Sequence, residues 1–239
     1  MAKIGIWDIE CHTFRFKADQ GFMICSGIME LGKSKVDILV RDNIKINPLD
    51  DKKLVLAIRK KLLEFDMIVT HNGKWFDIPW LNSRLLHWGY APLPNIPHYD
   101  TCEVSFKKMR VKNSLEGLGK FLGCKVKKTE TDMNDWLLAG GGNEKAIRKI
   151  VTHNIHDVKL TAEVYLKMRV FGFKHPNLAS INNEPDQCPL CEKKGTLNQR
   201  GWIYGAVNKS KRYECRKEKG GCGGWSHKAY RKTGVEIRP

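Results

Sequence analysis

The stretch Lys3-Ile4-Gly5-Ile6-Trp7-Asp8-Ile9-Glu10 constrains the fold most, because it reads as a β-strand buried on both sides and ending in two acids. Alternate side chains of a strand share a face, so Ile4, Ile6, Asp8 and Glu10 line one side while Gly5, Trp7 and Ile9 line the other. Two carboxylates closing an apolar face repel each other, and burying them unpaired is costly unless a cation lies between them. A hard divalent ion, Mg²⁺ or Mn²⁺, takes oxygen ligands of this kind, commonly one or two carboxylates with substrate phosphate. The competing interpretation is a strand that simply emerges into solvent at Asp8.

The 239 residues leave room for one medium domain and a small appendage, and 41% hydrophobic residues predict a sizeable core. A net charge of +16 predicts a polyanionic partner, nucleic acid first and an anionic membrane surface second. No apolar run approaches the roughly 18 residues that span a bilayer. The residues before the acidic strand carry no signal-peptide pattern, so the expectation is a cytoplasmic protein without a membrane partner. In that reducing compartment the eight cysteines stay free or bind metal. Cys11, Cys25, Cys102 and Cys124 are scattered singly and read as small buried core residues.

Residues 21–31 and 36–40 follow the first strand as two more, giving three consecutive antiparallel strands. From Asp50 to Phe65 the apolar residues Leu54, Ile58, Leu62 and Phe65 recur at helical spacing behind an acidic cap. Residues 67–70 form a short inner strand leading into His71-Asn72-Gly73-Lys74-Trp75-Phe76-Asp77-Ile78-Pro79. Pro79 suits a first helical turn, which makes Asp77 or a near neighbour the natural cap of the helix through Trp80, Leu81, Leu85 and Leu86. Residues 97–101 read as another strand, Ser105 to Met109 as the middle of a helix, and Asn113 or Ser114 as the cap of the next. Residues 125–131 and 140–142 read as loops. The last long helix runs from about Glu144 to about Val170, with a core stripe of Ile147, Val151, Ile155, Val158, Ala162 and Tyr165. His153, Asp157, Leu160 and Val164 line its opposite face, so the helix is expected to be covered on two sides.

Asp8, Glu10, Asp77 and Asp157 thus stand at the ends of predicted elements. With the strand-strand-strand-helix-strand-helix order they resemble the DEDD superfamily of 3′-5′ exonucleases, over roughly residues 3–170. The first motif is Asp8-Ile9-Glu10, the second Asn72 with Phe76-Asp77, and the third His153-Asn154-Ile155-His156-Asp157. Tyr99-Asp100-Thr101 and Asn113-Ser114-Leu115 with Leu118 look like the stretch joining the second and third motifs in proofreading-type members. The resemblance implies an α/β, ribonuclease H-like mixed sheet flanked by helices. It also implies two Mg²⁺ or Mn²⁺ ions roughly 3.5–4 Å apart that activate a water and neutralise the in-line phosphate transition state. Carried over, Asp8, Glu10, Asp77 and Asp157 would be the metal ligands, and His153 would orient or deprotonate the water. Tyrosine-type members carry Tyr four residues before the last acid and histidine-type members carry His five before it. This chain has His153 at the tyrosine position and Thr152 at the histidine position. Asn72 and Lys74 are candidates for contact with the nucleic acid.

Residues 175–185 read as a linker, dividing an exonuclease domain over 1–174 from a small basic domain over 186–239. Cys188-Pro189-Leu190-Cys191, followed by Cys215 and Cys222, resembles a zinc ribbon in which four thiolates hold one structural Zn²⁺. His227 is a weaker alternative to Cys222. Thirteen Lys or Arg against five Asp or Glu give this segment a net +8. Trp202, Tyr204, Tyr213, Trp225 and Tyr230 alternate with Lys209, Lys211, Arg212 and Lys228, as on a surface that tracks phosphates and stacks bases. Trp202, Lys211, Arg212 and Trp225 are its expected contacts, although such aromatics can equally pack a small ribbon core. The function expected is metal-dependent 3′-5′ hydrolysis of DNA. The alternatives are an exoribonuclease with the same site and a non-catalytic nucleic-acid binder on a nuclease scaffold.

Overall fold

The computed structural model describes residues 1–13, 17–42, 49–127, 129–205 and 209–230, with side chains described to residue 227. The chain divides into two compact units, Lys3–Lys167 and Met168 onward together with Met1–Ala2. No helix among the described residues is long and apolar enough to cross a membrane.

The first unit is built on a five-stranded mixed sheet of order β3-β2-β1-β4-β5. The strands are β1 (Ile4–Thr13), β2 (Gly21–Glu30), β3 (Asp37–Val40), β4 (Met67–Thr70) and β5 (His98–Asp100). β1, β2 and β3 pair antiparallel, as their sequence predicts, while β4 pairs parallel with β1 and β5 parallel with β4. The acid-bearing strand is therefore central, hydrogen-bonded by β2 on one side and β4 on the other. Its alternation sorts two cores. Trp7 and Ile9 pack with Leu54, Ile58 and Leu62 of α1 (Lys52–Leu62) and Trp80, Leu81 and Leu85 of α2 (Asp77–His87). On β2, Phe22, Ile24 and Cys25 pack with Ala146 and Ile150 of α6 (Glu144–Met168). Cys11 and Cys25 are buried core thiols as expected.

Several expectations shift. α1 has no side-chain cap from Asp51; Asp50 Oδ1 accepts the Lys52 amide instead at 2.9 Å. Asp51 is turned inward, where its carboxylate accepts from Met23 N, Arg84 Nε and Nη2, and Trp88 Nε1. Asp77 is likewise no cap, because it stands inside α2 and its side chain bonds elsewhere. Residues 105–109 close a helix rather than centre it, since α3 spans Thr101–Lys108 under an Asp100 cap. Ser114 caps α4 (Leu115–Phe121) by accepting from Gly117.

α5 (Met133–Gly140) was not foreseen; Asp132 and Asp135 close a reciprocal capping box at its start. Gly140, expected in a loop, is its last residue. The buried face of α6 carries Ile150, Asn154, Val158, Thr161, Tyr165 and Met168, whereas Ile147, Val151 and Ile155 are half-buried. The predicted stripe is rotated because two inward residues, Asn154 and Thr161, are polar. Leu160 and Val164 are buried too, so the helix is covered on two sides as expected.

In the second unit, the stretch expected as a linker contains α7 (Leu178–Ile181), where the Asn177 side chain accepts from Ser180 N and Leu178 is fully buried. Leu178 N donates to Pro189 O, and Gln187 Nε2 donates to Leu178 O. These bonds tie residues 175–185 to the cysteine segment, so a Pro- and Asn-rich composition here marks a capped short helix instead of a free tether. An antiparallel sheet of order β6-β7-β8 follows, made of Leu197–Tyr204, Lys209–Cys215 and Trp225–Tyr230. The side chains of Lys228 and Tyr230 lie outside those described.

Candidate active site

β1 carries Asp8 and Glu10 to one end of the sheet, and three other elements close on them. At the start of α2, Asp77 Oδ1 accepts the backbone N–H of Ile9 at 3.0 Å, so the residue between the two strand acids is held by a third. Burial pushes the Asp77 carboxyl up to about 7, against the lowering effect of the Ile9 amide, and the charge of Asp100 adds to the rise. Burial disfavours the charged form of such a carboxyl, and a neighbouring cation would restore it.

α6 supplies the other side. Asn154, fully buried, donates Nδ2 to Asp8 Oδ2 at 2.7 Å. Its side chain lies against Gly27 of β2, where a Cβ would collide with Asn154 Oδ1 and press on Val158. One turn of helix holds the pair His153 and Asp157, both buried, with Nε2 3.7 Å from Oδ2. The other imidazole nitrogen, Nδ1, lies 2.9 Å from Thr129 Oγ1. α5 completes the enclosure: Trp136 Nε1 donates to Glu10 Oε2 at 3.3 Å, and the indole meets the His153 ring edge-on at 5.6 Å. Asp8, Glu10, Asp77, His153 and Asp157 are thus brought together by a chain of contacts through Ile9, Asn154 and Trp136. A register shift in the β1–β2 pairing falls between Glu10 and Cys11, a bulge that re-aims the strand where the acids end.

Among the described residues, the cysteine quartet is the group of three or more His, Cys, Asp or Glu whose ligand atoms all lie within 4.8 Å of one another. The acids stand further apart: Asp8 accepts from Asn154, Glu10 from Trp136 and Asp77 from the Ile9 amide. Their negative field still reaches the sheet. Burial raises the Cys25 thiol, with Glu10 and Asp8 adding; burial also raises Cys11, with Asp77 and Glu10 adding.

Asn72 and Lys74 have a different placement from the acids. Asn72 takes a left-handed φ of 70° and is exposed. Asp100 Oδ1 and Oδ2 accept the amides of Asn72 and Lys74 at 2.9 and 3.0 Å, which fixes the loop leading to Asp77. Lys74 Nζ pairs with Glu103 Oε2 at 3.2 Å. Asn154, Trp136, Thr129 and Asp100 are the site-forming residues that reading the sequence did not single out. The Asp132-Asp135 capping box is the sequence signal that would have exposed α5 and, with it, Trp136.

In the second unit, Sγ–Sγ distances are 3.9 Å for Cys188–Cys222 and 3.7 Å for Cys191–Cys215, and all four sulfurs form one cluster. The wide gap before Cys222 is taken up by a 3-10 turn at Lys217–Lys219 and by Gly220 at φ 76°, and Gly223 at φ 81° turns the chain just beyond it. Gly223 N donates to Cys215 O, and Cys222 N to Cys215 Sγ. Hydrogen bonding with Cys188 holds the Cys191 thiol well below the usual range, while the same bond raises Cys188. Four sulfurs clustered in this way suit a thiophilic cation. His227 is exposed and outside this cluster, so the fourth position belongs to Cys222.

On the three-stranded sheet the expected nucleic-acid contacts separate. Trp202 opposes Lys211 and Tyr204 opposes Lys209 in the β6–β7 register, so these four share a face. Arg212 and Trp225 lie on the other, with the guanidinium 4.9 Å from the indole centroid.

The fold and the converging acids define a ribonuclease H-like domain of the nuclease type. The chain belongs to the RNase H superfamily, whose profile matches residues 6–169. A DNA polymerase III PolC-type of Ureaplasma parvum is 39% identical over 146 residues, which are 58% of this chain and 8% of that relative. The family B DNA polymerase of the archaeon Pyrobaculum calidifontis is similar in structure, with a TM-score of 0.55 and 13% identity. That match covers 90% of this chain and 33% of the polymerase. At that identity the likeness speaks for the fold alone.

Proposed function

We propose that the Lys3–Lys167 unit is a DEDD-type 3′-5′ exonuclease that hydrolyses DNA with divalent cations. The observation that carries this reading is the convergence on Ile9 and Asp8: Asp77 grips the amide between the strand acids, and Asn154 binds the first of them. Asp8, Glu10, Asp77 and Asp157 would hold two Mg²⁺ or Mn²⁺ ions, an all-oxygen donor set that fits hard cations. Once bound, such ions lower the pKa of a water and stabilise charge on the scissile phosphate. His153 holds or accepts the proton of that water, its Nδ1 side fixed by Thr129 and its Nε2 side facing Asp157. The name of the Ureaplasma relative, a DNA polymerase, supports DNA as the polymer.

The second unit, by the same proposal, is a zinc ribbon in which Cys188, Cys191, Cys215 and Cys222 hold one Zn²⁺, and its net positive charge binds nucleic acid. The test is digestion of matched 5′-labelled DNA and RNA oligonucleotides with Mg²⁺. Stepwise shortening of the DNA from its 3′ end is expected, and Asp8→Ala and Asp157→Ala should each abolish it while binding is spared. Full activity in either variant refutes the site, and preferential digestion of RNA moves the substrate to RNA.

A further inference from the structure

The two faces of the β6-β7-β8 sheet differ in how their charge is used. On one face Arg200 Nε pairs with Glu214 Oε2 at 3.0 Å, and Arg212 Nε donates to Arg200 O at 2.9 Å with its guanidinium over Trp225. Those cations are already engaged. On the other face Lys209 Nζ stands 4.0 Å from the Trp202 centroid and 5.4 Å from that of Tyr204, and Lys211 Nζ stands 5.9 Å from Trp202. Among the described residues no carboxylate pairs with Lys209 or Lys211. Tyr204 is 71% exposed. This face offers two aromatic rings and two uncompensated cations as a two-by-two array, each ring directly across the ladder from a lysine.

We propose that the Trp202–Tyr204–Lys209–Lys211 face binds single-stranded nucleic acid, the rings stacking successive bases and the lysines taking the phosphates, while the Arg212–Trp225 face does not. This rests on the reading of the second unit as nucleic-acid-binding, and not on the hydrolytic reading of the first. Charge chooses the polymer, because the segment carries net +8 and these two lysines pair with no acid among the described residues. Geometry chooses the single strand. Same-face side chains two residues apart on a strand lie about 6.8 Å apart, twice the roughly 3.4 Å rise per nucleotide in duplex DNA. Bases that stack on the protein at that interval must be unstacked from one another, which a duplex does not allow. An exposed lysine–ring contact is weaker than base–ring stacking, so an incoming base displaces the ammonium onto a phosphate instead of competing with it.

The experiment is fluorescence anisotropy on the full, zinc-loaded chain without Mg²⁺ or Mn²⁺, using labelled dT15, U15 and a hairpin DNA duplex as probes. Trp202→Ala/Tyr204→Ala should weaken dT15 binding on the order of 100-fold at every salt concentration, from two lost stacking contacts. Lys209→Gln/Lys211→Gln should instead flatten the log-affinity against log-salt slope by about 1.4. Arg212→Gln/Trp225→Ala should change binding less than about twofold, and the duplex should bind more weakly than dT15. Trp202→Phe/Tyr204→Phe keeps the packing and should retain most of the binding, which separates stacking from misfolding. Equal losses from both faces, an unchanged slope in the lysine variant, or tighter duplex binding would each overturn the assignment. U15 binding as tightly as dT15 supports it as a contact to bases and phosphates common to both polymers. The assay reads binding without Mg²⁺ or Mn²⁺, so a failure of the hydrolytic reading leaves this result unaffected.

Discussion

Asn154 Nδ2 and Asp8 Oδ2, separated by 146 residues in the chain, meet at 2.7 Å in the first unit. The amide gives a partly buried carboxylate a hydrogen bond without adding charge, and so keeps it aimed. Asn154→Ala should cost about 1–3 kcal/mol of stability from the lost buried bond. It should also lower Mg²⁺-dependent hydrolysis about tenfold or more, with activity partly restored by raised Mg²⁺. Urea denaturation and a Mg²⁺ titration of rate check the two halves separately.

Gly27→Ala is a test of the same contact from the sheet side. The added methyl would strike Asn154 Oδ1 and crowd Val158, neither of which has space to yield. The expected result is a loss of about 1–3 kcal/mol, typical of overpacking, and an activity defect that is not additive with Asn154→Ala. An additive double mutant would mean that Gly27 acts through something other than Asn154.

Asp100 governs the loop before Asp77. Its carboxylate accepts from Asn72, Lys74, Cys102 and Glu103, joining the loop to the start of α3. Asp100→Ala leaves these amides without their acceptor and should destabilise the fold by about 2–4 kcal/mol. Asp100→Asn, which keeps an acceptor oxygen, should lose less. Thermal denaturation of the pair is the measurement.

The His98 imidazole, 2.8 Å from Thr70 Oγ1, has its pKa lowered chiefly by burial. The unfolded chain therefore takes up this proton at a higher pH than the folded one does. The stability that neutral His98 allows is present above the unfolded pKa of about 6.5 and declines as pH falls below it through the lowered folded value. His98→Gln should flatten the dependence of unfolding free energy on pH between 5 and 7. A variant with the wild-type slope would assign that dependence to other groups.

Metal analysis should find about one zinc per chain, and Cys222→Ser should lower that content and the stability of the β6-β7-β8 sheet. Cys124→Ser, at a thiol outside the cluster, should change neither.

What could be read directly from the residues followed strong periodicity. β1 alternates cleanly and α6 is long, so the sheet was legible; β1, however, runs on to Thr13, which puts Asp8 and Glu10 inside the strand and not at its end, Asp157 lies within α6, and of the four acids Asp77 alone opens its element. α5 was hidden because Met133, Leu137 and Leu138 are exposed apolar residues that blur a helical stripe. Asn154 was legible as a member of the third motif but not as a partner of Asp8, because a polar residue facing a core carries no hydrophobic signal. The division of Trp202 and Lys211 from Arg212 and Trp225 depends on a strand register and on the irregularity between Gln199 and Trp202, which composition does not encode.

The amide that Asp77 grips belongs to Ile9, midway between the strand carboxylates. A one-residue slip of β1 would turn Asp8 and Glu10 into the layer now filled by Trp7 and Ile9 and carry that amide out of reach. Packing and clasp would fail together, so a chain with a mis-set strand has no compact state in which to persist. The same bond that aims the carboxylates thereby favours the native register over the slipped one.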